Sequence, residues 1–248
     1  AGMAGARAVI ALRAAGWTGG ITLIGDESLP PYDRPPLSKA AIASTGDPQP
    51  VLLLDDGMIA SLKADFIRDN AATAIDRQAR AVTLADGRII PYVKLLIATG
   101  ARPRPLPVPG GDRALTLRDF PDVAVLRRSF TEGRRIAIIG GGFIGLELAS
   151  SAAKRGCAVT LIEALPRILS RGVPPEIAEV VHQRHIKAGV IIHTGTAIAS
   201  LSAEGVHLQD GRTVAADTII AGIGAVPETR LAAAAGLVLD NGIACDGA

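Results

Sequence analysis

One glycine-rich turn, G-G-G-F-I-G at residues 140–145, constrains the fold of this chain more than any other feature of its sequence. An apolar run at 135–139 predicts a strand before the turn, and a helical pattern over about 143–155 follows it. A second apolar run at 158–162 predicts another strand, which Glu163 closes. A G-x-G-x-x-G turn between a strand and a helix, with an acid about 20 residues further on, is the fingerprint of a Rossmann dinucleotide-binding unit.

The beginning of the chain repeats the second half of this pattern. Gly2 and Gly5 have the spacing of the last two glycines of such a turn, and a helical pattern follows them. A short buried strand is predicted at 21–24, and Asp26 stands about 20 residues beyond the turn. Because the first glycine and the strand before it do not occur in the sequence, we expect these 248 residues to be part of a longer polypeptide.

A β-meander follows each of the two units. In both copies an Asp-Gly-Arg turn separates apolar runs, and Asp-Gly in that setting is a hairpin signal. From the glycine of this turn to a later glycine is 13 residues in both copies, 87 to 100 and 211 to 224. The meander segments are 73–75, 86–88 and 95–100 in the first copy, and 196–198, 210–212 and 218–224 in the second.

The repeat predicts an α/β fold with two tandem, three-layer Rossmann-like dinucleotide-binding domains, each carrying a β-meander. The predicted domains are residues 1–110 and 111–232, and residues 233–248 are an incomplete return to the first domain. The extended, proline-rich stretch 102–110 predicts the crossover between them.

Composition excludes several other classes of protein. Hydrophobic residues make up 48% and charged residues 20% of the chain, which favours a packed core over disorder. A net charge of +2 and an aromatic content of 3% argue against nucleic-acid binding. Two cysteines, Cys157 and Cys245, are too few for a disulfide framework or a four-ligand metal cluster, so no metal site is predicted. No apolar run of membrane-spanning length and no charged-then-apolar leader occurs, which predicts a cytoplasmic protein without membrane partners.

A proline-rich insertion distinguishes the first copy from the second. Residues 29–39 read L-P-P-Y-D-R-P-P-L-S-K, and proline restricts both its own backbone and that of the preceding residue. A stiff segment with Tyr, Arg and Lys suits a site whose groups must be held in place. The alternative is a surface loop punctuated by prolines.

Two dinucleotide sites on one chain suggest a flavin and a nicotinamide, since one passes hydride to the other. The chain resembles the FAD-dependent pyridine nucleotide oxidoreductases, most closely the NADH:ferredoxin reductases of oxygenase systems (putidaredoxin reductase-like), with N-terminal and C-terminal parts of that family missing. The resemblance extends over the whole chain. The segments that carry it are Y-D-R-P-P-L-S-K at 32–39, A-T-G-A-R-P-R at 98–104, Leu117-Arg118, residues 140–147 and residues 222–227.

The resemblance implies that the first domain binds FAD and the second binds NAD(H). The residues it assigns to FAD are Gly2, Ala4, Gly5, Asp26, Arg34, Pro36, Lys39, Ala72, Thr99, Gly100 and Arg118. Those it assigns to NAD(H) are Gly140, Gly142, Phe143, Ile144, Gly145, Glu163, Gly222 and Gly224.

Lys39 and Glu147 are the catalytic residues that the resemblance implies, as an ion pair beside the flavin N5. The cation would stabilise negative charge on the reduced flavin, and the carboxylate would hold the cation. The alternatives are a loop lysine and a solvated helix glutamate. Phe143 has two equally weighted interpretations, a lid over the flavin's nicotinamide face or a core residue between helix and sheet.

Glu163 favours NADH over NADPH, because a carboxylate accepts hydrogen bonds from ribose hydroxyls and repels a 2′-phosphate. Arg167 and Arg171 stand within reach of such a phosphate in sequence, and as surface residues they need no such role. The region 37–43, where disulfide reductases of this architecture carry a cysteine pair, has no cysteine, so thiol–disulfide chemistry is disfavoured.

The resemblance therefore predicts an enzyme, an FAD-dependent NADH:ferredoxin oxidoreductase. It would pass hydride from NADH to FAD and single electrons to a small ferredoxin-type iron–sulfur protein of an oxygenase or cytochrome P450 system. The alternatives are an NADH oxidase or nitrite-reductase-type flavoprotein, and a redox-regulated flavoprotein like apoptosis-inducing factor. A homodimer is left open.

Overall fold

The computed structural model describes residues 1–44 and 46–246. The chain forms two compact units: Ala1–Asp33, Pro50–Arg102 and Val226–Ala248 make up the first, and Arg34–Gln49 and Pro103–Ala225 the second. These units are defined by contacts and not by what they bind. The domain boundaries at 110/111 and 232/233 therefore stay a prediction.

The predicted helix at about 143–155 occurs as a helix, and the predicted strands at 21–24, 135–139 and 158–162 occur as strands. The helices are α1 (Met3–Ala14), α2 (Ala40–Ala43), α3 (Asp56–Ser61), α4 (Phe120–Ser129), α5 (Phe143–Lys154), α6 (Pro175–Lys187) and α7 (Arg230–Ala234), with 3-10 turns at Pro35–Ser38 and Gly111–Arg113. The strands are β1 (Thr22–Ile24), β2 (Asp65–Ile67), β3 (Ala72–Asp76), β4 (Ala81–Leu84), β5 (Ile89–Pro91), β6 (Ala101–Pro103), β7 (Arg135–Ile139), β8 (Ala158–Ile162), β9 (Ile191–His193), β10 (Ile198–Leu201), β11 (Gly205–Leu208), β12 (Thr213–Ala215), β13 (Thr218–Ala221) and β14 (Ala225–Pro227). Among the described residues, none of the helices combines the length and the apolar character needed to cross a membrane.

The second unit is built on a four-stranded parallel sheet of order β13-β7-β8-β9. Strand β7 is apolar and buried from Ile136 to Ile139, as a strand covered on both faces requires. The antiparallel meander β10-β11-β12 packs on this sheet, and Leu201 and Val206 share a buried cluster with Ala137 and Ile219. The predicted α/β class with Rossmann-like units is confirmed.

The first unit contains part of the same arrangement, with two parallel strands and a meander. Strands β1 and β2 are parallel, with Leu23 opposite Phe66, and β3-β4-β5 form the antiparallel meander. Helix α1 contributes Ala6 and Val9 to a buried cluster with Leu54.

Residues 95–100 differ from the predicted meander. Their counterpart in the second unit is β13, a fully buried strand that pairs with β7. In the first unit these residues form no strand, and Leu96 is 64% exposed. The physical reason is that the described part of the first unit has no counterpart of β7, so residues 95–98 have no neighbouring strand with which to pair.

The proline-rich insertion contributes a buried part to the second unit. Leu37 is 3% exposed at the end of the first 3-10 turn, and Ile42 on α2 is fully buried. Residues 34–49 are therefore more than a surface loop with prolines.

Candidate functional site

The glycine turn of the second unit joins β7 to α5 at very close range. Gly140 has φ of +105°, and a Cβ there would lie 2.6 Å from the carbonyl oxygen of Gly222. A Cβ on Gly145 would lie 2.0 Å from the carbonyl oxygen of Gly140. Only glycine fits both positions, so the sequence itself brings the start of the helix against the sheet.

Gly142, the middle glycine of the fingerprint, faces open space instead. It is the N-cap residue of α5, and nothing lies within 4 Å of where its Cβ would be. The first N–H groups of α5 have no acceptor within the helix, and the positive end of the helix dipole points the same way. The turn therefore offers space and donors for a dinucleotide pyrophosphate, and the residues present fit that group.

Glu163 lies against this turn. Its Oε2 accepts a hydrogen bond of 2.6 Å from the N–H of Gly141, and its Oε1 accepts one of 2.7 Å from the N–H of Leu165. Two bonds fix the orientation of the carboxylate, and each oxygen keeps a lone pair for a further donor. The assignment of Glu163 to the ribose hydroxyls stays a prediction.

Arg167 is committed to its own loop. Its guanidinium donates to the carbonyls of Ile168, Ser170 and Val173, at 3.1 to 3.3 Å. These bonds use both N–H groups of Nη2 and one N–H of Nη1, and they hold the guanidinium against its own loop. Arg171 is exposed.

The remaining residues assigned to NAD(H) surround the turn. Phe143 is 57% exposed and Ile144 45%, so the interpretation of Phe143 as a core residue is wrong. Gly222 follows β13 and donates a 2.7 Å hydrogen bond to the carbonyl of Ile139. The carbonyl of Gly224 accepts a 2.9 Å hydrogen bond from the N–H of Arg104.

The first unit repeats the geometry of the turn. Gly2 is the N-cap residue of α1, with nothing within 4 Å of a Cβ, while a Cβ on Gly5 would lie 3.0 Å from Leu23 Cδ1. The N–H of Ala6 donates to the carbonyl of Gly2 at 3.0 Å, and the same bond of 3.0 Å occurs at the start of α5. Ala4 is exposed on the first turn of α1.

The acidic position differs between the two units. In the second unit the N–H of Glu163 donates to the carbonyl of His193. In the first unit the N–H of Gly25 donates to the carbonyl of Ile67 in the same way. Gly25, and not Asp26, therefore occupies the position of Glu163, and Asp26 is exposed one residue later. Its role beside the adenosine stays a prediction.

Three further residues assigned to FAD lie in the first unit. Ala72 begins β3, opposite Leu84. The hydroxyl of Thr99 donates to the carbonyl of Glu228 at 2.6 Å, and the carbonyl of Gly100 accepts the N–H of Glu228 at 2.9 Å. Both bonds join residues 99–100 to Glu228.

The second unit brings Lys39 and Glu147 together. Lys39 Nζ lies 3.2 Å from Oε1 of Glu147, on the first turns of α5. The lysine side chain is 57% exposed and the glutamate side chain 28%. Lys39 Nζ also lies 3.3 Å from the carbonyl of Pro35.

Ser38 is a third member of this cluster, and the sequence analysis did not single it out. Its hydroxyl donates a 2.5 Å hydrogen bond to Oε2 of Glu147, and the residue is 5% exposed. The only signal in the sequence was its position beside Lys39 in the P-P-L-S-K segment.

Arg34, Pro36 and Arg118 also belong to the second unit. Arg34 Nη1 donates to the carbonyl of Arg118 at 2.6 Å, and the N–H of Arg118 donates to Oδ2 of Asp122 at 2.7 Å. The carbonyl of Pro36 accepts the N–H of Lys39 at 3.1 Å. Their assignment to FAD stays a prediction.

Among the described residues, the largest pKa shift lies outside these positions, at Asp217. The Arg135 guanidinium and backbone N–H hold the pKa of Asp217 well below its usual range, at about 2. This pair joins the start of β7 to the residue before β13. Burial raises the pKa of the Cys157 thiol, which disfavours a reactive thiolate there.

Comparison with known proteins extends over the whole chain. The family model described as pyridine nucleotide-disulphide oxidoreductase matches residues 1–248. Putidaredoxin reductase of Pseudomonas putida is 39% identical, over 98% of this chain and 60% of its own length. The ferredoxin–NAD(+) reductase component of the anthranilate 1,2-dioxygenase system of Burkholderia cepacia is 38% identical, over 99% and 62%. The crystal structure of the ferredoxin reductase for the CYP199A2 system of Rhodopseudomonas palustris superposes with a TM-score of 0.93 at 39% identity, covering 98% of this chain and 62% of that one. The chain thus spans about 60% of the length of these relatives.

Proposed function

Because the chain belongs to the pyridine nucleotide-disulphide oxidoreductase family, we propose that it carries the dinucleotide-binding units of an NADH:ferredoxin reductase. The cofactors are FAD, assigned to the first domain, and NAD(H), assigned to the second. The acceptor is a small ferredoxin-type iron–sulfur protein of an oxygenase or cytochrome P450 system. The names of the relatives, which are reductases of ferredoxins, support this acceptor.

The observation that carries the proposal is the cluster of Lys39, Glu147 and Ser38 at the start of α5. Glu147 stands two residues beyond Gly145, on helix α5, which begins at the dinucleotide fingerprint. A cation held there by a carboxylate suits a reaction in which negative charge develops. The proline-rich segment that provides Lys39 contains no cysteine, which argues against the disulfide chemistry in the family's name.

The chain's own residues divide the work of such a reaction. The open face at Gly142 and the N–H groups of α5 bind the pyrophosphate of NADH, and Glu163 orients its ribose. Lys39 stabilises developing charge, while Glu147 and Ser38 keep the ammonium in position. The carboxylate of Glu163 would repel a 2′-phosphate, so the site favours NADH over NADPH. FAD, when bound, supplies the conversion of a two-electron hydride into single electrons.

The decisive experiment uses the full-length gene product. Its visible spectrum should show flavin absorbance that bleaches on addition of NADH. Reduction of cytochrome c should then depend on an added ferredoxin. Absence of flavin, or bleaching by NADPH in preference to NADH, would refute the proposal.

Two other functions give different results in the same experiment. Fast oxygen consumption without a carrier protein would identify an NADH oxidase. A long-lived NADH–flavin charge-transfer complex with slow turnover would identify a redox-regulated flavoprotein. The cytoplasmic location stays a prediction.

A further inference from the structure

The position of Lys39 depends on a very short helix. Lys39 follows the 3-10 turn Pro35–Ser38 and is the N-cap residue of α2, which spans only Ala40–Ala43. A helix of four residues does not hold its shape alone, because nucleation costs more than so few hydrogen bonds return. Whatever holds α2 therefore also holds Lys39.

Apolar packing accounts for part of this. Ile42 is fully buried and Ala41 is 7% exposed. Burial is non-directional, so it sets the rotation of the helix only coarsely. Directional bonds are needed to aim the residue at its N-terminus.

Arg127 on α4 provides three such bonds. Its Nη1 donates to the carbonyl of Ala41 at 3.1 Å and to the hydroxyl of Ser44 at 2.5 Å, and its Nη2 donates to the carbonyl of Gly46 at 2.7 Å. The acceptors lie in the last turn of α2 and just beyond it. The negative end of a helix and its unpaired carbonyls favour a cation at that place. The planar guanidinium fork reaches acceptors on both sides, which an ammonium does not.

Arg155 supplies only a weaker contact to the same helix. Its Nη1 lies 3.5 Å from the carbonyl of Ile42, and its Nε donates to the carbonyl of Phe130. Arg127 is thus the principal polar anchor of α2.

We propose that Arg127 is a positioning residue for the Lys39–Glu147 pair. It hydrogen-bonds to neither of them, and it acts by fixing the helix whose N-cap residue is Lys39. The effect on reaction rate rests on the proposed function, whereas the effect on α2 does not.

The first measurement is independent of any cofactor reaction. The N–H groups of Ala43 and Ser44 donate to the carbonyls of Lys39 and Ala40 at 2.9 Å, so their hydrogen exchange reports the integrity of α2. In the full-length gene product, Arg127→Ala should accelerate exchange of these two amides. The matched control is Arg128→Ala, an exposed arginine on the same helix, which should leave them unchanged.

The second measurement is the rate of flavin reduction by NADH in the FAD-loaded protein. Arg127→Ala should lower this rate by about 10- to 100-fold, the loss that a small misplacement causes, while NADH affinity stays within about 2-fold. Arg127→Lys should not restore it, and millimolar guanidinium ion added to Arg127→Ala should restore part of it. Arg127→Ala combined with Lys39→Ala should react no more slowly than Lys39→Ala alone, because both changes remove the same contribution.

Each outcome decides one of the two claims. Unchanged exchange in Arg127→Ala, equal effects in Arg128→Ala, or additive rate losses in the double variant would overturn the positioning role. If NADH fails to reduce the parent protein, the proposed function fails. Faster exchange confined to Arg127→Ala then still supports Arg127 as the anchor of α2 and Lys39.

Discussion

The buried hydroxyl of Ser38 donates a 2.5 Å hydrogen bond to Oε2 of Glu147, the carboxylate whose other oxygen faces Lys39. The ion pair is half exposed on the lysine side and screened by solvent, and such pairs contribute little by themselves. The hydrogen bond from a residue that is 5% exposed is screened less. Ser38 therefore determines how the carboxylate is oriented.

Replacing Ser38 tests this relationship. In Ser38→Ala the carboxylate loses its buried donor, at a cost of about 1–3 kcal/mol for a bond to a charged group. We expect slower flavin reduction by NADH with little change in NADH affinity, measured by stopped-flow absorbance. Ser129→Ala, which removes only a hydroxyl bonded within its own helix, is the control. Equal rates in Ser38→Ala and the parent would contradict the role.

Replacing Lys39 tests the proposed charge stabilisation. Lys39→Ala should slow flavin reduction or weaken FAD binding, while NADH affinity stays nearly unchanged. Because the lysine is 57% exposed, the midpoint of thermal unfolding should hardly move. Lys154→Ala, an exposed lysine at the end of α5, controls for loss of charge. Unaltered reduction and flavin content in Lys39→Ala would remove Lys39 from the site.

Glu163 should determine affinity for NADH. Glu163→Ala leaves the N–H groups of Gly141 and Leu165 without their acceptor and removes the ribose acceptor, so binding should weaken by about 1–3 kcal/mol. Isothermal titration with NADH and NADPH measures the change. Glu204→Ala, an exposed acid in the meander, should have no effect. Tighter binding of NADPH than NADH by the parent would show that the assignment is wrong.

Ile42 should contribute strongly to the stability of the second unit. The side chain is fully buried, and Ile42→Ala should cost about 2–5 kcal/mol as the cavity is left unfilled. Differential scanning calorimetry should show a lower transition temperature than in the parent protein. Ile89→Ala removes a side chain that is 66% exposed and should change stability little. Similar transitions for Ile42→Ala and the parent would mean that residues 34–49 are peripheral.

Asp217 should make the second unit sensitive to acid. Hydrogen bonds from Arg135 lower the pKa of Asp217 from 3.8 to about 2. The ionised carboxylate therefore adds to the free energy of unfolding above about pH 4, and this addition is lost as the pH falls through 2. Asp217→Asn should therefore be less stable than the parent at pH 7, and the difference should shrink towards pH 2. Urea unfolding across this range measures it, with Asp112→Asn, an exposed acid, as the control. A difference that is constant with pH would rule out this linkage.

The sequence alone determined the features that depend on neighbouring residues. The glycine turn at 140–145 admits one local geometry, since Cβ atoms at its first and last positions would collide with backbone. The buried runs of β7 and β8 and the Asp-Gly turns of the meanders are equally local. These patterns were enough to predict the repeat, the fold class and the helix that follows the glycine turn. The tertiary structure decided the rest, because it depends on partners far apart in the chain. Ser38 meets Glu147 across 109 positions, and Arg127 reaches Ala41 across 86. Strand pairing placed Gly25, not Asp26, at the position of Glu163, and it left residues 95–98 outside a sheet. No local pattern encodes these outcomes, since side-chain packing and strand partners select them only when the whole chain is folded.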